Sequence, residues 1–190
     1  MVDTGQQPAD VIPFVDASAF DAWLTEHGAT SAGVWLKLAK AASGIPSLTG
    51  DEAVDVGLCH GWISGRRNGL DDTWYLQRYV PRRPRSRWSQ VNVRRSEALI
   101  AAGRMRPAGQ REIDAAKADG RWAAAYPSQR DAHVPEDLAA ALDRDPLAAE
   151  RFAALGRTAQ YALILDLATA GSAATRRRRL TRAIAQLSVS

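Results

Sequence analysis

Apolar positions follow two different periods in the first half of the chain. Val34, Leu36 and Leu38 alternate with other residues, which predicts a strand that buries one face. Before it, an apolar stripe at helical spacing lies between Asp16, a typical N-cap residue, and Gly28, a typical helix stop. The pattern therefore predicts a helix followed by a half-buried strand.

A second helix and a hairpin come next. Thr49 and Glu52 have the Thr-x-x-Glu spacing of a capping box, which predicts a helix that runs to Gly61. Two alternating stretches, 62–67 and 73–80, flank a loop that carries Asn-Gly and Asp-Asp, and they predict a β-hairpin.

Only helical patterns follow the hairpin. They predict helices over 88–102, 108–119, 135–142, 146–155, 158–170 and 173–187. The fold class is then α+β, with a small mostly antiparallel sheet and two helices in the N-terminal half, followed by a helical C-terminal half. We expect a disordered leader at 1–10, an α+β core at 11–122 that contains an Arg/Trp-rich hairpin segment, and a helical region at 134–190.

Composition narrows the class of protein. With 190 residues, 46% of them hydrophobic and 24% charged, the chain has the make-up of a globular protein. No apolar run approaches the roughly 20 residues that span a bilayer, and the N-terminus lacks the basic head and apolar core of a secretion signal. A single cysteine, Cys59, excludes an internal disulfide. We expect a cytoplasmic protein without a membrane span.

Clustered arginines among aromatic residues mark the candidate site. The net charge is only +4, but several arginines lie between tryptophans and tyrosines in residues 58–92. Guanidinium and aromatic planes together bind flat or anionic ligands by stacking and forked hydrogen bonds. The expected pocket lies between a sheet face and the first helix of the C-terminal half. Its predicted ligand-binding residues are Trp35, Lys37, Trp62, Ser64, Arg66, Tyr75, Gln77, Arg78, Tyr79, Arg82, Arg83, Arg85 and Trp88.

Two other interpretations of the same segment remain. Single-stranded nucleic acid also stacks on aromatic residues beside arginines, although no known nucleic-acid-binding motif is present, and we do not favour this partner. Alternatively, the tryptophans join the core and the arginines face solvent. The later run Arg176–Arg179 lies in an amphipathic helix and predicts a solvated or dipole-complementing face. No pattern specifies an oligomeric state.

Metal and cofactor motifs are absent from the sequence. His27, His60 and His133 are far apart and lack the spacing of metal ligands. Neither a P-loop nor a dinucleotide-binding glycine pattern occurs. We therefore expect no metal and no cofactor.

Catalysis is an open alternative. Cys59 or Ser64 could pair with His60, with Asp71 or Asp72 orienting the imidazole, and His60 could act as a general acid or base on a small-molecule substrate. The competing interpretation makes Cys59 a small core residue and His60 a C-cap.

The hairpin segment and the region after it resemble a known family. The strings VWLKLAKAASGIPSLTGDEAVDVGLCHGWISGRRNGLDD, YLQRYVPRRPRSRWSQVN and GRMRPAGQREIDAAKADGRW, followed by VPEDLAAAL and ATRRRRLTRAI, are similar to the YdeI/OmpD-associated (OmdA, bacteriocin-protection) proteins. The resemblance implies a role in resistance to antimicrobial compounds or stress. It also implies that His60 and Ser64 stand where relatives usually carry Phe and Asp.

The sequence as a whole favours one function. We expect a protection or resistance protein that binds a small aromatic or anionic ligand, an antimicrobial compound or a peptide.

Overall fold

A computed structural model describes residues 11–189, and the leader expected at 1–10 lies outside the described residues. The chain divides into two compact units. Unit 1 contains the described residues up to Ser86 together with Asn92–Ala123, and unit 2 contains Arg87–Val91 together with the described residues from Ala124 onward. The expected domain limits at 11–122 and 134–190 stay predictions.

Four strands form one mixed sheet in unit 1. They are β1 (Val11–Ile12), β2 (Val34–Ala39), β3 (Trp62–Gly69) and β4 (Trp74–Pro81), in the order β1-β2-β4-β3. β1 is parallel to β2, whereas β2 and β3 both pair antiparallel with β4.

Eight helices occur among the described residues. They are α1 (Ala17–His27), α2 (Gly50–Cys59), α3 (Gln90–Ala101), α4 (Pro107–Ala118), α5 (Glu136–Leu142), α6 (Pro146–Ala154), α7 (Arg157–Ala168) and α8 (Ala173–Ser188). A short 3₁₀ turn (Ala41–Ser43) follows β2. The predicted α+β class, with a small sheet in the N-terminal half and helices after it, is confirmed.

Strand alternation builds the core of unit 1. Val34, Leu36 and Leu38 are at most 1% exposed, because they point to the sheet face on which α1 and α2 pack. We call this face the inner face and the opposite one the outer face. α1 contributes Phe20 and Leu24 to the same core. Burial of such side chains contributes about 1.5–3 kcal/mol each, so the inner face holds unit 1 together.

The predicted capping signals work as the sequence indicates. The Asp16 side chain accepts a hydrogen bond from the Ala19 N–H at 2.8 Å at the start of α1. At the start of α2, the Thr49 hydroxyl accepts from the Glu52 N–H and the Glu52 carboxylate accepts from the Thr49 N–H, which completes the capping box. Both helices therefore begin where their caps predict.

The hairpin turn lies later than the Asn-Gly pair suggests. Asn68 and Gly69 belong to β3, paired with Leu76 and Tyr75, so the expectation that Asn-Gly forms part of the loop is wrong. The turn instead depends on Asp71, whose carboxylate accepts hydrogen bonds from the N–H groups of Thr73 and Trp74 at 2.8 and 2.7 Å. An aspartate side chain that binds the backbone two residues ahead stabilises such a turn without glycine.

Unit 2 has a separate hydrophobic core between α5, α6, α7 and α8. Its most buried members include Leu138 and Leu167. From α8, Arg176 donates to the Leu167 carbonyl at 2.9 Å and Arg179 donates to the Asp166 carbonyl at 2.5 Å, at the C-terminal end of α7. These arginines therefore complement the dipole of the neighbouring helix. Within residues 11–189, no helix has the length and hydropathy needed to cross a bilayer.

Candidate ligand-binding cleft

The predicted site residues lie on both faces of the sheet. Tyr75 pairs with Leu38 and Tyr79 with Val34, so both tyrosines point to the inner face, whereas Arg78 pairs with Trp35 and points to the outer face. On the inner side, Ser64, Tyr75, Gln77 and Tyr79 line one cleft. Trp35, Lys37 and Arg78 are on the outer face. A single pocket therefore cannot hold both groups, because the sheet separates them.

Cations on the outer face stack on the protein's own rings. The Lys37 ammonium lies 4.6 Å from the Trp74 ring centroid, and the Arg78 guanidinium carbon lies 5.9 Å from that of Trp35. These contacts place the long side chains over the aromatic surface of the sheet.

Three other predicted residues are buried. Trp62 is 2% exposed and packs edge-on against Trp23 in the unit 1 core, with ring centroids 6.0 Å apart. Arg82 and Trp88 are 6% and 2% exposed. Trp88 belongs to unit 2, where its carbonyl accepts a hydrogen bond from the Tyr126 N–H at 3.1 Å.

The remaining predicted residues, Arg66, Arg83 and Arg85, are exposed. None of the three borders the cleft on the inner side of the sheet. Their assignment to a ligand site stays a prediction.

The inner-side cleft has a volume of about 1120 Å³. Its walls are the segment after β2, the first turn of α2 and the inner face of the hairpin. Its apolar lining residues include Ile45, Pro46 and Val54, and its polar ones include Lys40 and Arg67. This combination suits a small ligand that has both an apolar body and a polar group.

Two tyrosines are the most informative residues of the cleft. Tyr75 is 8% exposed and Tyr79 is 1% exposed, and neither hydroxyl has a hydrogen-bond partner among residues 11–189. Neither hydroxyl oxygen is fully enclosed, and both tyrosines line the cleft. Burial raises the pKa of Tyr79, which keeps its hydroxyl protonated as a hydrogen-bond donor.

Arg67 places a positive charge on the Tyr75 ring at the border of the cleft. Its guanidinium carbon lies 3.7 Å from the Tyr75 ring centroid, and it forms no ion pair with any described residue. The N–H groups of a guanidinium lie in its own plane. Stacking on a ring therefore leaves them available to a ligand.

A β-bulge explains why Arg67, and not the predicted Arg66, borders the cleft. Ser64 pairs with Tyr79 and Arg67 pairs with Gln77, so β3 has one residue more than β4 between these pairs. Regular alternation would place Arg66 on the inner face instead. The Gln77 amide donates to the carbonyls of residues 65 and 66 at 2.8 and 3.2 Å, which holds the bulge. Gly65 inside a strand pattern was the available signal for it.

His60 belongs to a separate polar cluster. It is the C-cap of α2, as one interpretation of the sequence predicted, and its Nε2 lies 2.8 Å from an Asp21 carboxylate oxygen. Arg106 binds the other oxygen of Asp21. Burial alone would raise the pKa of Asp21, but the hydrogen bonds from His60 and Arg106 outweigh it, so the pKa lies below its usual value. The orienting carboxylate is therefore Asp21 and not Asp71 or Asp72.

Cys59, beside this cluster, is not an activated nucleophile. Burial raises the pKa of the Cys59 thiol, which keeps the sulfur protonated. A second cavity, of about 630 Å³, is lined by Asp21, Cys59, Arg104 and Arg106 among others. Within the described part of the chain, no group of three or more potential ligands could hold a metal ion. Catalysis by His60 stays a prediction.

Two family models match separate parts of the chain. Residues 12–112 match the model described as Domain of unknown function (DUF8412), and residues 131–189 match the model described as Bacteriocin-protection, YdeI or OmpD-Associated (OmdA). The chain belongs to the DUF8412 family and carries an OmdA domain. The predicted OmdA resemblance is confirmed. No curated protein and no solved structure is significantly similar to the chain.

The cleft falls within one of the two family matches. All of its residues lie between positions 39 and 79, inside the DUF8412 match. The OmdA domain contains helices α5 to α8 of unit 2. The cleft therefore lies in the DUF8412 region and not in the OmdA domain.

Proposed function

We propose that this DUF8412 protein is a cytoplasmic protection protein of the YdeI/OmpD-associated type that binds a small ligand with an aromatic body and an anionic group. The OmdA domain supports the protection role. One observation carries the binding role: the buried side chains of Tyr75 and Tyr79 both line the cleft, and neither hydroxyl has a hydrogen-bond partner among the described residues. A partly hydrated hydroxyl without a partner costs about 0.5–1 kcal/mol, which a ligand acceptor would recover.

The charge of the cleft favours an anion. Arg67 and Lys40 border it, and the Ser64 hydroxyl adds a further donor. Asp51 is the one acidic residue on its walls, and that carboxylate is already paired with Arg95. Donors and cations thus outnumber free acceptors, which suits a carboxylate or phosphate group.

The apolar wall favours an aromatic body. Ile45, which is 43% exposed, lines the cleft together with Pro46 and the Tyr75 side chain. Flat rings bury area against such surfaces at little entropic cost, since they have few rotatable bonds. Binding of this kind would sequester an aromatic antimicrobial acid, which is a direct route to protection.

Calorimetric titration with benzoate, 1-naphthoate and phenyl phosphate tests the proposal. We expect the wild type to bind at least one of them, and Arg67→Met to weaken that binding by about tenfold, since one charge-assisted hydrogen bond is lost. Arg66→Met is the matched control, because Arg66 is the adjacent exposed arginine outside the cleft. Absence of binding to the wild type, or equal losses in both variants, would overturn the proposal.

A further inference from the structure

We infer that the anionic group of the ligand is an oxyanion, a carboxylate or a phosphate, bound at the first turn of α2 between the Tyr75 hydroxyl and the backbone N–H groups of Gly50 and Asp51. This inference rests on the proposed binding function of the cleft. It names the atoms that recognise the charge.

Gly50 and Tyr75 meet at close range. A Cβ atom added at Gly50 would lie 3.0 Å from the Tyr75 hydroxyl oxygen, and apart from the adjacent residues and the backbone of α2 no other atom would lie within 4 Å of it. The Tyr75 hydroxyl therefore lies beside the first residue of α2, where Gly50 has no side chain. Both residues line the cleft, and Tyr75 is 8% exposed.

The first turn of α2 has backbone donors to spare. The first four N–H groups of a helix have no acceptor within the helix. The capping box satisfies the N–H of Glu52, and the Ala53 N–H bonds to the Thr49 carbonyl at 3.0 Å. The N–H groups of Gly50 and Asp51 precede these and are the ones left for a ligand. The positive end of the α2 dipole adds to their attraction for an anion.

The acidic side chains of this turn are engaged elsewhere. The Glu52 carboxylate accepts from the Thr49 N–H and hydroxyl at 2.9 and 2.8 Å. The Asp51 carboxylate is bound by Arg95 of α3, which also donates to the Asp55 carboxylate at 3.0 Å. These pairings reduce the repulsion that an incoming anion would meet at the end of the helix.

Two substitutions test the oxyanion site. Gly50→Ala puts a methyl group 3.0 Å from the Tyr75 hydroxyl, where the anion oxygen would lie. Alanine is the better helix former, and the Tyr75 hydroxyl has to move by only a few tenths of an ångström to admit the methyl group. Tyr75→Phe removes the hydroxyl and keeps the ring. Titrations compare benzoate with benzyl alcohol, which has the same ring without the charge.

We expect each substitution to lower the ratio of benzoate affinity to benzyl alcohol affinity by about five- to tenfold, because Tyr75→Phe removes one charged hydrogen bond and Gly50→Ala blocks the position of the anion oxygen. Phenyl phosphate and benzoate, titrated in parallel, distinguish the two oxyanions by which binds the wild type more tightly. If the wild type and both variants have the same ratio while Arg67→Met still weakens binding, the oxyanion site is wrong and the binding function stands. If the wild type binds none of these compounds, the binding function itself fails.

Discussion

Removing the Tyr79 hydroxyl should make the protein more stable. In most proteins, Tyr→Phe in the core costs stability because a hydrogen bond is lost. Tyr79 is 1% exposed and its hydroxyl bonds to no residue in the described range 11–189. Tyr79→Phe therefore removes a largely buried hydroxyl without breaking a hydrogen bond within the described residues.

The size of the gain follows from the position of the hydroxyl. An isolated buried hydroxyl costs about 1–3 kcal/mol. The Tyr79 hydroxyl reaches the cleft, where it can be partly hydrated, so we expect a gain of about 0.5–1 kcal/mol. Tyr161 is the matched control in unit 2, because its hydroxyl donates to the Pro127 carbonyl at 2.8 Å. Tyr161→Phe should lose about 1 kcal/mol.

Urea denaturation followed by far-UV circular dichroism measures both changes. The two variants should move the free energy of unfolding in opposite directions. A loss for Tyr79→Phe as large as that for Tyr161→Phe would refute the reasoning, since it would mean that the Tyr79 hydroxyl has a bonding partner. Tyr79→Phe should also weaken benzoate binding, which would separate the contribution of this residue to stability from its contribution to binding.

Two further predictions concern ion pairs. In the folded protein the pKa of Asp21 lies below its ordinary value of 3.8. Its ionised carboxylate therefore stabilises the fold fully above about pH 3.8, and this stabilisation is lost as the pH falls through the lowered pKa. Urea denaturation at about pH 6 and about pH 3 should show a smaller acid-induced loss for Asp21→Asn than for the wild type, and equal losses would contradict the assignment. In unit 2, Arg176 donates hydrogen bonds to both Asp137 carboxylate oxygens at 2.7 and 2.8 Å. Arg176→Met should therefore lower the free energy of unfolding by about 1 kcal/mol, after allowance for solvent screening, and lower the melting temperature with it. Arg177→Met, at the neighbouring exposed position, should change it little, and a similar drop in both variants would show that the pair contributes nothing.

Local signals predicted most of the fold. The alternation of Val34, Leu36 and Leu38 specified a buried face, and the capping box at Thr49 specified where α2 begins. Such signals depend only on neighbouring residues, so a single sequence displays them.

The site depends on features that neighbouring residues do not reveal. The bulge changes which of two adjacent arginines points inward, because one extra residue reverses the alternation that follows it. The His60–Asp21 pair joins positions 39 residues apart, and only the packing of α1 beside α2 brings them together. The alternation of β4 was predicted correctly, yet the predicted pocket combined residues from both faces. Even a correct strand assignment therefore did not reveal which residues line the cleft.

The irregular hairpin has one more consequence, for self-association. β3 borders the sheet and pairs only with β4 among the described strands, so it presents an edge to which a second molecule could add a strand. Arg66 and Arg67 are exposed along this edge, and the bulge interrupts the regular spacing of its backbone groups. Charge and irregularity of this kind discourage edge-to-edge aggregation. The bulge that turns Arg67 toward the cleft thus also protects the sheet, and a variant with a straightened β3 should lose both benefits together.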